Sequence, residues 1–258
     1  PPGAPTMNVK PDQRHLRLSG ALNVRDLGGY ATADGGTTQW GRVLRAASLH
    51  RLDEAEKALL GERGLATVID LRRAGELQEA PNPFSRVEGV AYHHVSLFDR
   101  LAPLEMVGSP NLLLDLYKVA LGERGAEFAS VLNLIAEAPE GAVLFHCTAG
   151  KDRTELIAAI LLLVAGVDRD VILEDYAMTG PLIAPMLDEL VEHARARGLD
   201  VDGFRQLLTC EPATMAGALD ELDAVHGGVE AYLASIGVGD ETVAKLRMRL
   251  TAPAARQG

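Results

Sequence analysis

The chain has 258 residues and a formal net charge of −11, with 47% apolar and 24% charged residues. That composition suits a globular protein with a sizeable core, and the acidic balance excludes a general nucleic-acid binder, which needs a basic face. Two cysteines, Cys147 and Cys210, exclude a disulfide framework and suggest no structural zinc site, which fits a reducing compartment.

The opening Pro1-Pro2-Gly3-Ala4-Pro5 has neither the basic nor the apolar region of a signal peptide. The expectation is a cytoplasmic protein, with export by a non-classical route left open. Residues 1–12 are expected to be a disordered lead-in to one domain over 13–258. Asp34-Gly35 predicts a hairpin turn, since both central positions tolerate positive φ. Arg42 to Ala47 reads as a strand. Asp53 and Glu56 have capping-box spacing, so a helix should run to about Arg63 and stop at Gly64. Ala66 to Leu71 has buried-strand length, and Val90 to Leu97 is another strand candidate. Ala126 to Ala138 is helical by period and ends before Pro139. Ala142 to His146 is a further buried strand, followed by a polar loop and an apolar helix from about Thr154 to Ala165. The apolar run Leu156 to Val167 is too short to span a bilayer. Beyond it, breaks near Gly180-Pro181, Gly198, Cys210 to Pro212, Gly227-Gly228 and Gly237 to Gly239 divide a helical series. The fold class is therefore α/β, a largely parallel central sheet flanked by helices, with 167–258 as a mainly helical cap.

The stretch His146-Cys147-Thr148-Ala149-Gly150-Lys151-Asp152-Arg153-Thr154 joins that buried strand to the apolar helix. A loop at a helix N-terminus can aim several backbone N–H groups at one spot and cradle a tetrahedral dianion. The phosphate-binding residues would be Thr148, Ala149, Gly150, Lys151, Asp152 and Arg153. Gly150 would supply the unusual backbone angles, and Arg153 two parallel donors matched to two phosphate oxygens. The same positive field stabilises an anionic sulfur on Cys147, making it a nucleophile. Thr154 is placed to hydrogen-bond that sulfur, and His146 to orient the cradle rather than titrate. His93 and His94, strand neighbours facing opposite ways, make no metal pair.

His146 to Thr154 resembles the signature loop of the tyrosine and dual-specificity phosphatase superfamily, and Ala-Gly-Lys-Asp-Arg-Thr resembles its bacterial branch. Asn23-Val24-Arg25-Asp26-Leu27-Gly28-Gly29-Tyr30 and the ending from Glu211-Pro212-Ala213 to Val229-Glu230-Ala231-Tyr232-Leu233 are similar to the same branch. The resemblance implies a protein tyrosine phosphatase-like fold and a two-step hydrolysis through phosphocysteine, with no metal or organic cofactor. The implied partner is a phosphorylated protein or, with Lys151 as a second cation in the loop, a phosphoinositide lipid; phosphoserine and phosphothreonine are further candidate substrates. A weakly active phosphopeptide-binding module is the reading from another class, whereas arsenate reduction lacks a resolving cysteine near Cys147.

Three carboxylates compete for the acid role. Asp99, after the strand Val90 to Leu97, resembles the movable acid of dual-specificity phosphatases and is favoured, followed by Asp152. Asp70 is expected to support the site from behind, and Arg25-Asp26 to brace the loop through an ion pair and hydrogen bonds, with Gly28-Gly29 letting backbones approach closely. His50, Arg51, Arg72 and Arg73 are expected on solvated surface. The resemblance has one departure: the family usually carries Gly after Arg-Thr, and this chain carries Glu155, expected to face solvent. If it faced the cradle instead, it would repel phosphate.

Overall fold

The computed structural model describes residues 13–98 and 111–252. At its centre is β6 (Ala142–His146), whose five residues are all buried. It lies between β3 (Val43–Ala46) and β4 (Leu65–Asp70), parallel to both. Outside β4 runs β5 (Ala91–His94), also parallel, and outside β3 runs β1 (Arg25–Asp26), antiparallel. The sheet order is thus β1-β3-β6-β4-β5, a parallel centre with one antiparallel edge.

Alternation along β6 divides the interior into two faces. Val143 and Phe145 join a large cluster with Leu161, Ile135 and Tyr176, while Ala142 and Leu144 join a smaller one with Leu60 and Phe84. The smaller face is covered by α1 (Glu54–Glu62), which starts at the Asp53 capping box and ends at Arg63, before Gly64 at φ +78°. The larger face is built on α5 (Asp152–Val164). This helix is buried almost all round, as expected of one apolar on every side.

Between β4 and β6 the chain forms α2 (Ala74–Glu79), α3 (Leu112–Glu123) and α4 (Gly125–Glu137). After α5 come α6 (Arg169–Ala177), α7 (Thr179–Ile183), α8 (Leu187–Ala196), α9 (Val201–Gln206), α10 (Pro212–Glu221), α11 (Val229–Ser235) and α12 (Asp240–Leu250). Met215, Leu219, Tyr232 and Leu246 from this series belong to the same buried cluster as Phe145.

Several expectations shift. Val90 to Leu97 contracts to the four residues of β5. Gly180-Pro181 lies inside α7, and the chain turns instead at Met178. Asp34-Gly35 does turn, with Gly35 at φ +82°, and its short arms are tied at the bridge Ala31↔Thr37 and by the Thr38 N–H donating to the Tyr30 carbonyl at 2.8 Å. Thr37–Thr38, β2, pairs with Thr251–Ala252, β7, across almost the whole sequence. The expected disorder of residues 1–12 and the candidate acid Asp99 lie outside the described residues.

Candidate functional site

The cradle forms where β6 ends. His146, its last residue, pairs with Ala46 of β3 and Asp70 of β4, so the following loop emerges at the carboxyl edge of three parallel strands. Open α/β sheets bind ligands at this edge. Cys147 is 2% exposed at the base, and α5 begins five residues later, directing the positive end of its dipole at the loop. Gly150 takes φ +61°, and a Cβ there would lie 2.5 Å from the Ala46 carbonyl oxygen, so only glycine lets the loop settle onto β3. Thr148 and Ala149 remain half-buried at the mouth. Among the described residues, no backbone carbonyl accepts from the N–H groups of Thr148, Ala149, Gly150 or Lys151.

Arg153, in the first turn of α5, is held by a residue that sequence reasoning missed. Glu76 of α2 accepts two parallel bonds from the guanidinium, at 2.8 Å from Nη1 and 2.9 Å from Nη2. It also accepts from the Thr148 hydroxyl and from the Arg73 backbone N–H at 2.9 Å. Burial alone would raise the Glu76 carboxyl, but the bonds and charge of Arg153 hold it well below the usual carboxylate range. The one local signal was a glutamate in a helix's first turn after the β4 strand end; its partner is 77 positions away.

Behind Cys147, His146 is fully buried, with Nδ1 donating to the Cys147 carbonyl at 3.1 Å and Nε2 lying 2.8 Å from Asn82 Nδ2. Asp70 backs this arrangement. Its carboxylate takes Arg72 Nε at 2.9 Å and Nη2 at 2.7 Å, and Asn82 Nδ2 at 2.9 Å. Arg72, expected on the surface, is therefore buried as the ion-pair partner of Asp70, and Nη1 reaches Ser48 Oγ at 3.1 Å. His50 and Arg51 do lie exposed, Arg51 paired with Glu189.

Beneath Gly150 lies a second buried assembly. Arg45, inside β3, forms a two-pronged ion pair with Glu155 and reaches Asp175 of α6 at 3.2 Å. Arg25 meets the same Asp175 at 3.2 Å and lies 3.8 Å from Glu155. The Thr179 hydroxyl donates to Glu155, and that of Tyr30 donates to Asp175 at 2.7 Å. Burial pushes the Glu155 carboxyl up, against the charge and bonds of Arg45. Burial also acts against ionised Asp175, but Arg25 and Arg45 hold its carboxyl below the usual range.

Three expectations are corrected here. Glu155 does not face solvent: it is 2% exposed and turned toward Arg45, whose guanidinium takes both carboxylate oxygens. Asp26 does not pair with Arg25. Neighbours on a strand face opposite ways, and Asp26 instead accepts from the N–H groups of Gly28 at 2.8 Å and Gly41 at 2.7 Å. The Thr154 hydroxyl is buried without a hydrogen-bond partner, so the expected bond to the sulfur is not made. Gly28 and Gly29 do serve close approach, since a Cβ on either would strike Trp40.

Lys151 and Asp152 turn toward the helical series. The Lys151 ammonium, in a residue 1% exposed, donates to Asp152 at 2.5 Å and to the Leu207 carbonyl at 2.7 Å. Asp152 also accepts from the Tyr117 hydroxyl at 3.0 Å. The second cation of the loop is thus occupied in anchoring the segment after α9 and is not presented to a second phosphate. Among the described residues, no cluster of three or more His, Cys, Asp or Glu could hold a metal ion, and no helix is long and apolar enough to cross a membrane.

The model of the Tyrosine phosphatase family matches residues 16–252. A tyrosine-protein phosphatase of Nostoc commune is 34% identical over 80% of this chain and 73% of its own length. The triple specificity protein phosphatase PtpB of Mycobacterium tuberculosis is 27% identical over 89% of this chain and 96% of its own. Among solved structures, P. aeruginosa TpbA is 24% identical and superposes with a TM-score of 0.37, covering 69% of this chain and 96% of TpbA. At that score the superposition carries no weight, and the α/β assignment rests on the sheet order above.

Proposed function

The chain belongs to the tyrosine phosphatase family, and from that membership we propose that it hydrolyses phosphotyrosine monoesters through a phosphocysteine on Cys147. The observation that carries this reading is the convergence at one sheet edge. Cys147, the loop N–H groups that no backbone carbonyl of the described residues takes up, the start of α5 and an Arg153 aimed by Glu76 all meet there. In the first step the Cys147 sulfur bonds to phosphorus while the bond to the tyrosine oxygen breaks. The departing oxygen takes a proton from an acid, which we assign to Asp99 on its place in the sequence. Water then attacks phosphorus and gives a proton back to the ionised acid, the sulfur leaves as thiolate, and inorganic phosphate is released. Arg153 and the loop N–H groups hold the equatorial oxygens in both steps, where charge is spread over them.

Fixed donors that need no rearrangement during reaction suit the transition state more than the substrate. The M. tuberculosis relative is named a triple specificity phosphatase, so phosphoserine, phosphothreonine and phosphoinositide belong beside phosphotyrosine in the deciding assay. The expected result is turnover of phosphotyrosine peptide; no turnover of any of these substrates would refute the proposal. Lys151→Met should lower phosphotyrosine and phosphoinositide turnover in proportion, because its ammonium is held by Asp152 and Leu207. A loss confined to phosphoinositide would restore lipids as the intended substrate.

A further inference from the structure

We infer that Arg45 and Asn23, with Glu155 as the counter-charge that holds Arg45, are positioning residues of the cradle: together they set the peptide between Gly150 and Lys151 so that its N–H faces the bound phosphate. This rests on the phosphatase reading of the site and adds residues that lie outside the loop.

Arg45 Nη2 donates to the Gly150 carbonyl at 2.7 Å, and Asn23 Nδ2 donates to the same oxygen at 2.8 Å. Both donors are fully buried, one in β3 and one just before β1, so both approach from beneath the loop. A trans peptide is planar, and its C=O and N–H point in opposite directions. Pinning the oxygen downward therefore turns the Lys151 N–H upward, toward the side where Cys147 and Arg153 gather. A glycine at φ +61° has little intrinsic preference for that orientation over its flipped alternative. The choice is made by the two donors.

Glu155 explains how a strand of four buried residues can carry an arginine at all. Arg25 and Arg45 contribute two positive charges, Glu155 and Asp175 two negative, and the assembly is neutral. With glycine at 155, Arg45 would share Asp175 with Arg25, leaving one buried positive charge uncompensated. Buried charges persist only when paired. Asn23 is suited to its place in a second way: its φ of +56° is one that asparagine tolerates better than most residues. Its side-chain oxygen accepts from Arg25 at 2.5 Å, so the amide is oriented with its NH₂ toward Gly150.

The test uses the double variant Arg45→Met/Glu155→Leu in the full chain. Removing both partners of a buried pair together is often tolerated, while removing one leaves a buried charge alone. Orthovanadate affinity is measured by calorimetry, and the Lys151 amide resonance is followed during titration. Wild-type protein should bind vanadate with a downfield shift of that amide. The double variant should bind it about tenfold more weakly, the scale of one hydrogen bond, with the shift reduced. If the double variant does not fold, Asn23→Gly decides, since it keeps the positive φ and removes the other donor to Gly150, together with the Asn23 contacts to Arg25 and Thr179. Vanadate affinity and Lys151 shift equal to wild type in the folded variant would overturn the inference. Failure of the wild-type protein both to bind vanadate and to turn over phosphotyrosine would sink the phosphatase reading itself, a separate outcome.

Discussion

Glu76→Gln isolates the aiming of Arg153 from its charge. The glutamine is nearly isosteric, but one of its two acceptor atoms becomes an NH₂ that meets an Arg153 N–H donor to donor. The bonds at stake measure 2.8 and 2.9 Å, and the Glu76 side chain is 16% exposed, so water compensates little. Losing one charge-assisted bond costs about 1.5–3 kcal/mol. If that whole loss is felt in the transition state, kcat/KM falls about 10- to 100-fold at about 1.4 kcal/mol per decade. Arg153 remains in place and charged, so vanadate should still bind, though more weakly. The assay is steady-state hydrolysis of a phosphotyrosine peptide, with vanadate inhibition measured in parallel.

A pH signature accompanies this loss. Glu76 titrates lower in the folded chain than its ordinary value of 4.5, so below that value the unfolded chain binds more protons. Its contribution to stability is complete above 4.5 and is lost as pH falls toward the folded value. The Gln variant lacks that contribution, so its stability should fall less steeply than wild type between about pH 5 and pH 3. A variant with kcat/KM within twofold of wild type and unchanged vanadate inhibition would refute the aiming role.

Cys147→Ser should abolish turnover while vanadate binding persists; a tenth of wild-type rate remaining would exclude covalent catalysis through the sulfur. Asp70→Asn should cost about 3–5 kcal/mol in urea unfolding, because Arg72 is left buried without its charge partner; an unchanged midpoint would contradict this. Burial would raise the Asp70 carboxyl, but His146 and Arg72 hold it well below its ordinary 3.8. Its stabilisation is therefore present above that value and lost as pH falls below it, a loss absent from the variant. Asp99→Asn should slow phenyl phosphate by about 10²–10⁴-fold and spare esters of acidic phenols, whereas Asp152→Asn should damage both alike. The reverse pattern across a leaving-group series would make Asp152 the acid.

Much of the cradle was legible in sequence because it is local. Ala142 to His146 reads as a buried strand from its apolar run, and α5 from the apolar run that starts at Leu156. The nine residues His146 to Thr154 that join them carry their chemistry in contiguous letters. The α1 helix was equally readable, since Asp53, Glu56 and Gly64 state its start and stop within a dozen positions.

What only the tertiary structure decided are the partners of the charges. Glu76 and Arg153 lie 77 positions apart, Arg45 and Glu155 lie 110, and Arg25 and Asp175 lie 150. No periodicity links such pairs; they meet because parallel strands deliver distant segments to one edge. Arg45 did carry a warning, since a charged residue among Val43, Leu44 and Ala46 must find a partner once buried. Sequence could state that need but could not name Glu155 as the answer. For the same reason Glu155 was expected in solvent, where a lone carboxylate in a helix's first turn is ordinarily most stable, until an arginine from another strand met it inside.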